Sequence, residues 1–249
     1  MAGDSVPPGF VRFHVGNAHV VSRESLAAAI REAITAGSLY EYGARHPRAR
    51  RFSGRGVVYA APLPSGDAAV IRHSRRGGAF APITRDLFLP PTRAEHELRT
   101  SERLRAAGIA TPEVLAVAVY PVAAILRRAD VVTREISNAF DLAVALMSDD
   151  AAMRASALNA TASLVAALSD VAAHHPDLNV KNVLLQPGQN GRPAGYVLDV
   201  DRIRFVNERS RALNRNVARL VRSARKWQSV NGARVTAAEL SDFAAACQR

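Results

Sequence analysis

The densest set of chemistry-bearing residues is the run His175-Pro176-Asp177-Leu178-Asn179-Val180-Lys181-Asn182, followed sixteen residues on by Leu198-Asp199-Val200-Asp201-Arg202. Two short apolar segments, Val183–Leu185 and Tyr196–Leu198, lie between them, joined by the Gly/Pro/Asn-rich stretch Pro187–Gly195. That pattern predicts a β-hairpin. A hairpin returns its two ends to one place, so Asp177, Asn182 and Asp199 should converge at one edge. Oxygen donors of this kind suit Mg²⁺, which binds through one or two carboxylates together with substrate phosphates. A separate carboxylate can orient an alcohol and accept its proton. Lys181 would add positive charge near a transferring phosphoryl group. The plainer alternatives are that Asp177 and Asn182 serve turn geometry and that Asp201 pairs with a nearby arginine. His175 reads as a support of the loop through hydrogen bonding.

The elements around this stretch divide the chain. Val11, Phe13 and Val15 alternate and read as a short strand. Ser22–Ile34 reads as a helix with Ser22 near its cap and Leu26, Ala29, Ile30 and Ala33 on one face. Residues 40–53 are polar and basic and read as a loop. Gly54–Leu63 and Ala68–His73 read as a hairpin turning at Pro64-Ser65-Gly66-Asp67. Thr92–Ala107 reads as a helix stopped at Gly108, with Pro112 beyond. Leu115–Tyr120 and Ile125–Ile136 are β-rich. From there the pattern turns helical: Asp141–Met147, a long alanine-rich helix over residues 148–173, Arg211–Gln228, and Thr236–Ala246 behind a threonine cap. Strands dominate before residue 136 and helices after it, which predicts two lobes joined at Glu135–Phe140.

The 249 residues are 48% hydrophobic and 22% charged, an ordinary globular balance with material for a sizeable core. The single cysteine, Cys247, excludes a disulfide framework and a cysteine metal site within one chain. The chain reads as cytosolic, without a secretory signal in Met1–Phe13. The apolar run Val114–Leu126 is interrupted by Pro121 and falls short of the roughly 20 residues of a spanning helix. Net charge is +11, and 31 of the 33 cations are arginine. They cluster at Arg45–Arg55, at Arg72–Arg76 and from Arg202 to Lys226. Such a balance attracts polyanions, but aromatic residues are only 6% and no nucleic-acid-binding motif is visible.

The loop His175–Asn182 with Asp199 beyond it resembles the catalytic core of the protein-kinase-like fold, in which H-x-D-x-x-x-x-N is followed by an aspartate on the next strand pair. Within that superfamily the chain is most similar to the lipopolysaccharide kinases, specifically the 3-deoxy-D-manno-octulosonic acid (Kdo) kinases. The stretches Ile71–Gly78, His96–Pro112, Leu198–Arg202 and Asn216–Lys226 carry that likeness. The resemblance implies an α+β, bilobal protein-kinase-like fold, with a β-rich N-lobe over residues 1–136, a mainly helical C-lobe over 137–249, and ATP with Mg²⁺ between them. It implies Asp177 as the base, with Lys181 beside it, and Asn182 and Asp199 as Mg²⁺ ligands. Glu97 would anchor Arg72, which stands where protein kinases carry a lysine. Gly54 and Gly56 would cover the nucleotide, and the backbone at Glu135 and Ile136 would face adenine. The chain also departs from the pattern. No lysine precedes Lys181, and arginine is not interchangeable with lysine. Val200-Asp201 replaces Phe-Gly, and an Ala-Pro-Glu motif is missing. These departures point to a compact small-molecule kinase. The implied acceptor is the Kdo sugar on lipid A, at an anionic cytoplasmic face of the inner membrane, with nucleic acid not expected as a partner. The competing expectations are a kinase for another alcohol or a protein hydroxyl, and a non-catalytic pseudokinase docking on anionic lipid or nucleic acid.

Overall fold

Residues 6–35, 37–53, 56–74, 92–122, 126–188 and 191–248 are described by the computed structural model. Gly54, Arg55, Arg75, Arg76, Gly77, Gly78 and Ile125 lie outside them. The chain forms two units, one of residues 1–102 and 113–135, the other of 103–112 and 136–249.

The first unit is a seven-stranded antiparallel sheet. Its strands are β1 (Phe10–Val15), β2 (Ala18–Arg23), β3 (Arg50–Ser53), β4 (Val57–Pro62), β5 (Ala68–His73), β6 (Val114–Pro121) and β7 (Arg127–Arg134), in the order β1-β2-β6-β7-β5-β4-β3. β4 and β5 form the expected hairpin, with Ala60 opposite Val70 and Val58 opposite Arg72. β6 is apolar without alternation because both its faces are covered. Leu115 and Ala118 join Ile30, Leu39, Ile71 and Val132 on one side, while Val114 and Val117 join Phe10, Val21, Ala94 and Leu98 on the other. The latter group brings in α3 (Arg93–Ala106), the expected helix.

Two expectations need correction here. Ser22 is a buried strand residue, not a helix cap; β2 continues to Arg23, a 3₁₀ turn follows at Glu24–Leu26, and α1 starts only at Ala27 and runs to Ile34. Residues 40–53 are not a loop but contain α2 (Leu39–Arg45) and the edge strand β3. Ser38 and Glu41 form a full capping box at the start of α2. Gly43 lets α2 lie close on the sheet, since a Cβ there would meet Ile71 Cδ1 at 3.1 Å and Tyr59 Cβ at 3.2 Å.

The second unit is built around α5 (Ala151–Asp170), whose Asp150 cap accepts from the N–H groups of Ala152 and Met153. This helix is long and apolar enough to cross a membrane. Here it is the central core helix, with Leu158, Val165 and Leu168 buried against Leu142, Leu146, Leu178 and Leu185. It stops at Asp170, three residues before the expected end, because Ala172 turns into the left-handed region with φ 54°. The other helices are α4 (Leu142–Met147), α6 (Arg209–Asn231) and α7 (Ala237–Ala246). Gly232, with φ 70°, ends α6. Thr236 and Glu239 form the capping box of α7. The short strands are β8 (Phe140–Asp141), β9 (Ala173–His174), β10 (Val183–Gln186), β11 (Ala194–Val197) and β12 (Arg204–Phe205). β10 lies between β8 and β11, and β9 pairs with β12.

Candidate active site

The hairpin β10–β11 pairs Val183 with Val197, and one step further out Leu198 N–H donates to the Asn182 carbonyl at 2.9 Å. The residue before the hairpin and the residues after it are thereby fixed together. Asn182 Nδ2 donates to the Asp177 carbonyl at 3.0 Å, and Asn179 Nδ2 donates to the same oxygen at 2.8 Å. His175 closes the circuit. It is fully buried; its Nε2–H donates to the Leu198 carbonyl at 2.9 Å and its Nδ1 accepts from the Asp177 N–H at 3.2 Å. That pair of bonds requires the neutral Nε2–H tautomer. Burial also pushes the His175 pKa below its ordinary value, with the Leu198 carbonyl and the aspartates opposing. Asp177, Asn182 and the strand end carrying Asp199 therefore belong to one hydrogen-bonded loop, with His175 as its internal strut.

Asp199 occupies the left-handed region, with φ 53° and ψ 43°, and its side chain is exposed. Aspartate tolerates this region better than most side chains, and Ala172 and Asn138 share it. Asn182 is buried, and because its Nδ2 is committed to Asp177, its Oδ1 is the atom able to meet a cation. Among the described residues no group of three His, Cys, Asp or Glu could hold a metal alone. One amide oxygen and one carboxylate fit Mg²⁺ bound chiefly by nucleotide phosphates. Lys181 is engaged elsewhere. Its Nζ lies 2.5 Å from Asp141 Oδ2 and 5.4 Å from the centre of the Trp227 ring, while Asp141 Oδ1 caps α4 by accepting from Val144 N–H.

Three polar side chains on α6 grip this loop. Asn216, fully buried, accepts from His175 N–H at 3.0 Å and donates to the Ala173 carbonyl at 2.9 Å. Arg219 Nη2 donates to Asp177 Oδ1 at 2.8 Å. Ser223 Oγ accepts from Val180 N–H at 3.2 Å. Sequence reasoning placed Arg219 in a general basic cluster and gave Asn216 and Ser223 no separate role. The available signal was their spacing: positions 216, 219 and 223 share one helix face, next to the apolar stripe of Ala212, Leu213, Leu220 and Ala224. The remaining cations of the helix, Arg211, Arg215, Arg222, Arg225 and Lys226, are all exposed, and α6 contains no acidic residue. Burial lowers the His174 pKa, and Arg215, Arg204 and Arg211 add to that effect.

In the first unit Arg72 Nη2, on β5, lies 2.5 Å from Glu97 Oε1 on α3, and the Glu97 side chain is only 6% exposed. Glu95, the other acid considered for this pairing, lines a shallow cavity of about 250 Å³ with Arg12, His19, Thr92, Val117 and Arg127, on a different part of the sheet. Glu135 N–H donates to the Ala68 carbonyl at 3.0 Å and its carboxylate pairs with Arg50, so that N–H is already used within the sheet. Gly56 precedes β4 and is half-buried, Ile136 is half-buried in the second unit, and Gly54 lies outside the described residues.

Comparison with known proteins matches residues 49–245 to the lipopolysaccharide kinase (Kdo/WaaP) family. A 3-deoxy-D-manno-octulosonic acid kinase of Actinobacillus succinogenes is 32% identical over 191 residues, covering 74% of this chain and 77% of that one. The enzyme of the same name from Pasteurella multocida is 32% identical over 180 residues, covering 70% and 73%. A solved structure, WaaP in complex with acyl carrier protein, superposes with a TM-score of 0.59 at 18% identity, covering 92% of this chain and 88% of that one, and shows the protein-kinase-like fold. The pairing of a β-sheet unit with a helical unit, the His-x-Asp loop strutted to the strand end at Asp199 and the extended family match agree: the chain belongs to the lipopolysaccharide kinase (Kdo/WaaP) family and is an ATP-using kinase.

Proposed function

We propose that this kinase transfers the γ-phosphoryl group of ATP to a hydroxyl of the Kdo sugar on lipid A. Family membership and the two Kdo kinases support the acceptor. The observation that carries the site assignment is the His175 strut, because it ties Asp177 to the Leu198 carbonyl immediately before Asp199. In this reading Asp177 orients the acceptor hydroxyl and takes its proton. Asn182 and Asp199 would hold Mg²⁺, which when bound neutralises charge on the phosphates. Arg72, held by Glu97, grips the nucleotide phosphates, a task guanidinium performs with paired donors. Gly56, immediately before β4, covers the nucleotide. At the adenine edge Ile136 and the Glu135 carbonyl are the available backbone groups, since the Glu135 N–H is used by Ala68. Lys181 acts at one remove, by holding Asp141 and α4 beside the loop. Positioning and charge neutralisation supply the rate, with little covalent work for the protein.

The enzyme works, in the same reading, as a peripheral protein on the cytoplasmic face of the inner membrane. The exposed row Arg211, Arg215, Arg222, Arg225 and Lys226 supports this. From 211 to 226 it extends about 22 Å along α6, and a basic surface of that kind is drawn to anionic lipid. The test of the function is phosphorylation of purified Kdo-lipid A with ATP, with the product read by mass spectrometry. One added phosphoryl group on the Kdo sugar is expected. ATP turnover that requires some other alcohol would overturn the acceptor.

A further inference from the structure

Arg219 differs from the other cations of α6. Arg215 and Arg222 are exposed, whereas Arg219 turns inward and places Nη2 2.8 Å from Asp177 Oδ1, the side chains being 37% and 24% exposed. Its Nε is buried with no hydrogen-bond partner among the described residues. Leaving a buried N–H unmet is unfavourable, so the guanidinium is held in this pose at some cost. It is also held rigidly, because Asn216 and Ser223, one turn before and one turn after it, fix the backbone of the same loop at His175 and Val180.

We infer that Arg219 is a positioning residue for phosphoryl transfer: it holds one carboxylate oxygen of Asp177 and so sets the direction in which the carboxylate meets the acceptor hydroxyl. This rests on the reading of Asp177 as the base. In the step it serves, the acceptor oxygen forms a bond to the γ-phosphorus as the bond from that phosphorus to the ADP oxygen breaks. ADP leaves with the electron pair, and the hydroxyl proton passes to the Asp177 carboxylate. A cation beside a base weakens its pull on a proton, which would be a handicap where proton abstraction limits the rate. Phosphoryl transfer through a loose transition state asks instead for an oriented nucleophile, and small misplacements of a positioned group cost about 10²-fold.

The test uses the full-length protein with ATP and Kdo-lipid A. Arg219→Ala should lower kcat about 10²-fold, leave KM for ATP and for acceptor within about twofold, and keep the urea midpoint close to wild type. Added guanidinium ion should restore a measurable part of the lost kcat, which a purely structural role would not allow. Arg219→Lys keeps a cation on the helix with a single point of contact, so it should fold and retain intermediate activity; it replaces the alanine variant if that one does not fold. Unchanged kcat in both variants would overturn the inference, as would a rise in acceptor KM with kcat intact or a loss that guanidinium leaves untouched. Asp177→Asn, assayed in parallel, separates the two layers. An active D177N removes the base assignment itself, whereas an inactive D177N with a wild-type-like R219A removes only the role of Arg219.

Discussion

Replacing Asn216 by alanine should destabilise the second unit and impair catalysis together. The side chain is fully buried and makes two hydrogen bonds, accepting from His175 N–H at 3.0 Å and donating to the Ala173 carbonyl at 2.9 Å. Alanine leaves both backbone groups buried and unmet. Each orphaned group costs about 1–3 kcal/mol, so the pair should cost about 2–6 kcal/mol, a large part of the stability of an ordinary domain. Asn216→Asp keeps an acceptor for His175 N–H but sets a carboxylate oxygen against the Ala173 carbonyl, and should be no better than alanine. Urea unfolding followed by circular dichroism measures the change, read as a shift of midpoint at constant slope. Because Asn216 anchors the backbone of His175, whose ring is the strut between Asp177 and Leu198, kcat should fall even where the protein is still folded. An Asn216→Ala protein within about 0.5 kcal/mol of wild type, the range of a neutral surface change, would refute the claim that α6 holds the catalytic loop through this residue.

Stability should decline as pH falls below 6.5. His174 and His175 are both held below the ordinary histidine value of 6.5, chiefly by burial. The unfolded chain therefore takes up protons that the folded chain refuses, and the stabilisation present above pH 6.5 is lost on acidification, mostly through buried His175 and less through the more exposed, solvent-screened His174. Urea midpoints between pH 7.5 and 5.5 check this, and a flat profile would contradict it. Glu97→Gln removes the charge opposite Arg72 and should raise KM for ATP about tenfold or more, as a steady-state ATP titration would show; an unchanged KM would separate the pair from nucleotide binding. On vesicles, the protein should co-sediment with bilayers containing anionic lipid and not with neutral ones. Arg211→Gln/Arg215→Gln/Arg222→Gln should lose about 100-fold in partition, since each cation near such a surface contributes about 1 kcal/mol. Equal partition on both vesicle types would refute the membrane reading.

What the sequence displayed was mostly local. The β4–β5 hairpin, α3 and the β10–β11 hairpin were legible because turn and stop residues sit beside them: Pro64–Asp67, Gly108 and Pro187–Gly195. The site could be read for the same reason, since a hairpin must bring Asn182 back to Leu198 wherever the rest of the chain goes. The missed helix α2 had a signal, the Ser38–Glu41 capping box, hidden by the basic residues that follow it. Strand β3 is an edge strand carrying Arg50 and Arg51, and charge on an edge blunts aggregation while obscuring β character. Ser22 looked like a cap but is buried between β1 and β6, a tertiary fact. The grip of α6 on the loop was legible only in part, because periodicity shows that 216, 219 and 223 share a face but not what that face meets. The partners of Lys181 and Arg219, 40 and 42 residues away, depend on how the helices pack.

Asp177 is the residue on which the proposed phosphoryl transfer depends most directly. With ATP and Kdo-lipid A, the wild-type protein should add one phosphoryl group to the sugar, and Asp177→Asn, with urea midpoint and ATP affinity near wild type, should lose about 10²–10⁴-fold in kcat. A folded, ATP-binding D177N protein that phosphorylates the acceptor at the wild-type rate would contradict it.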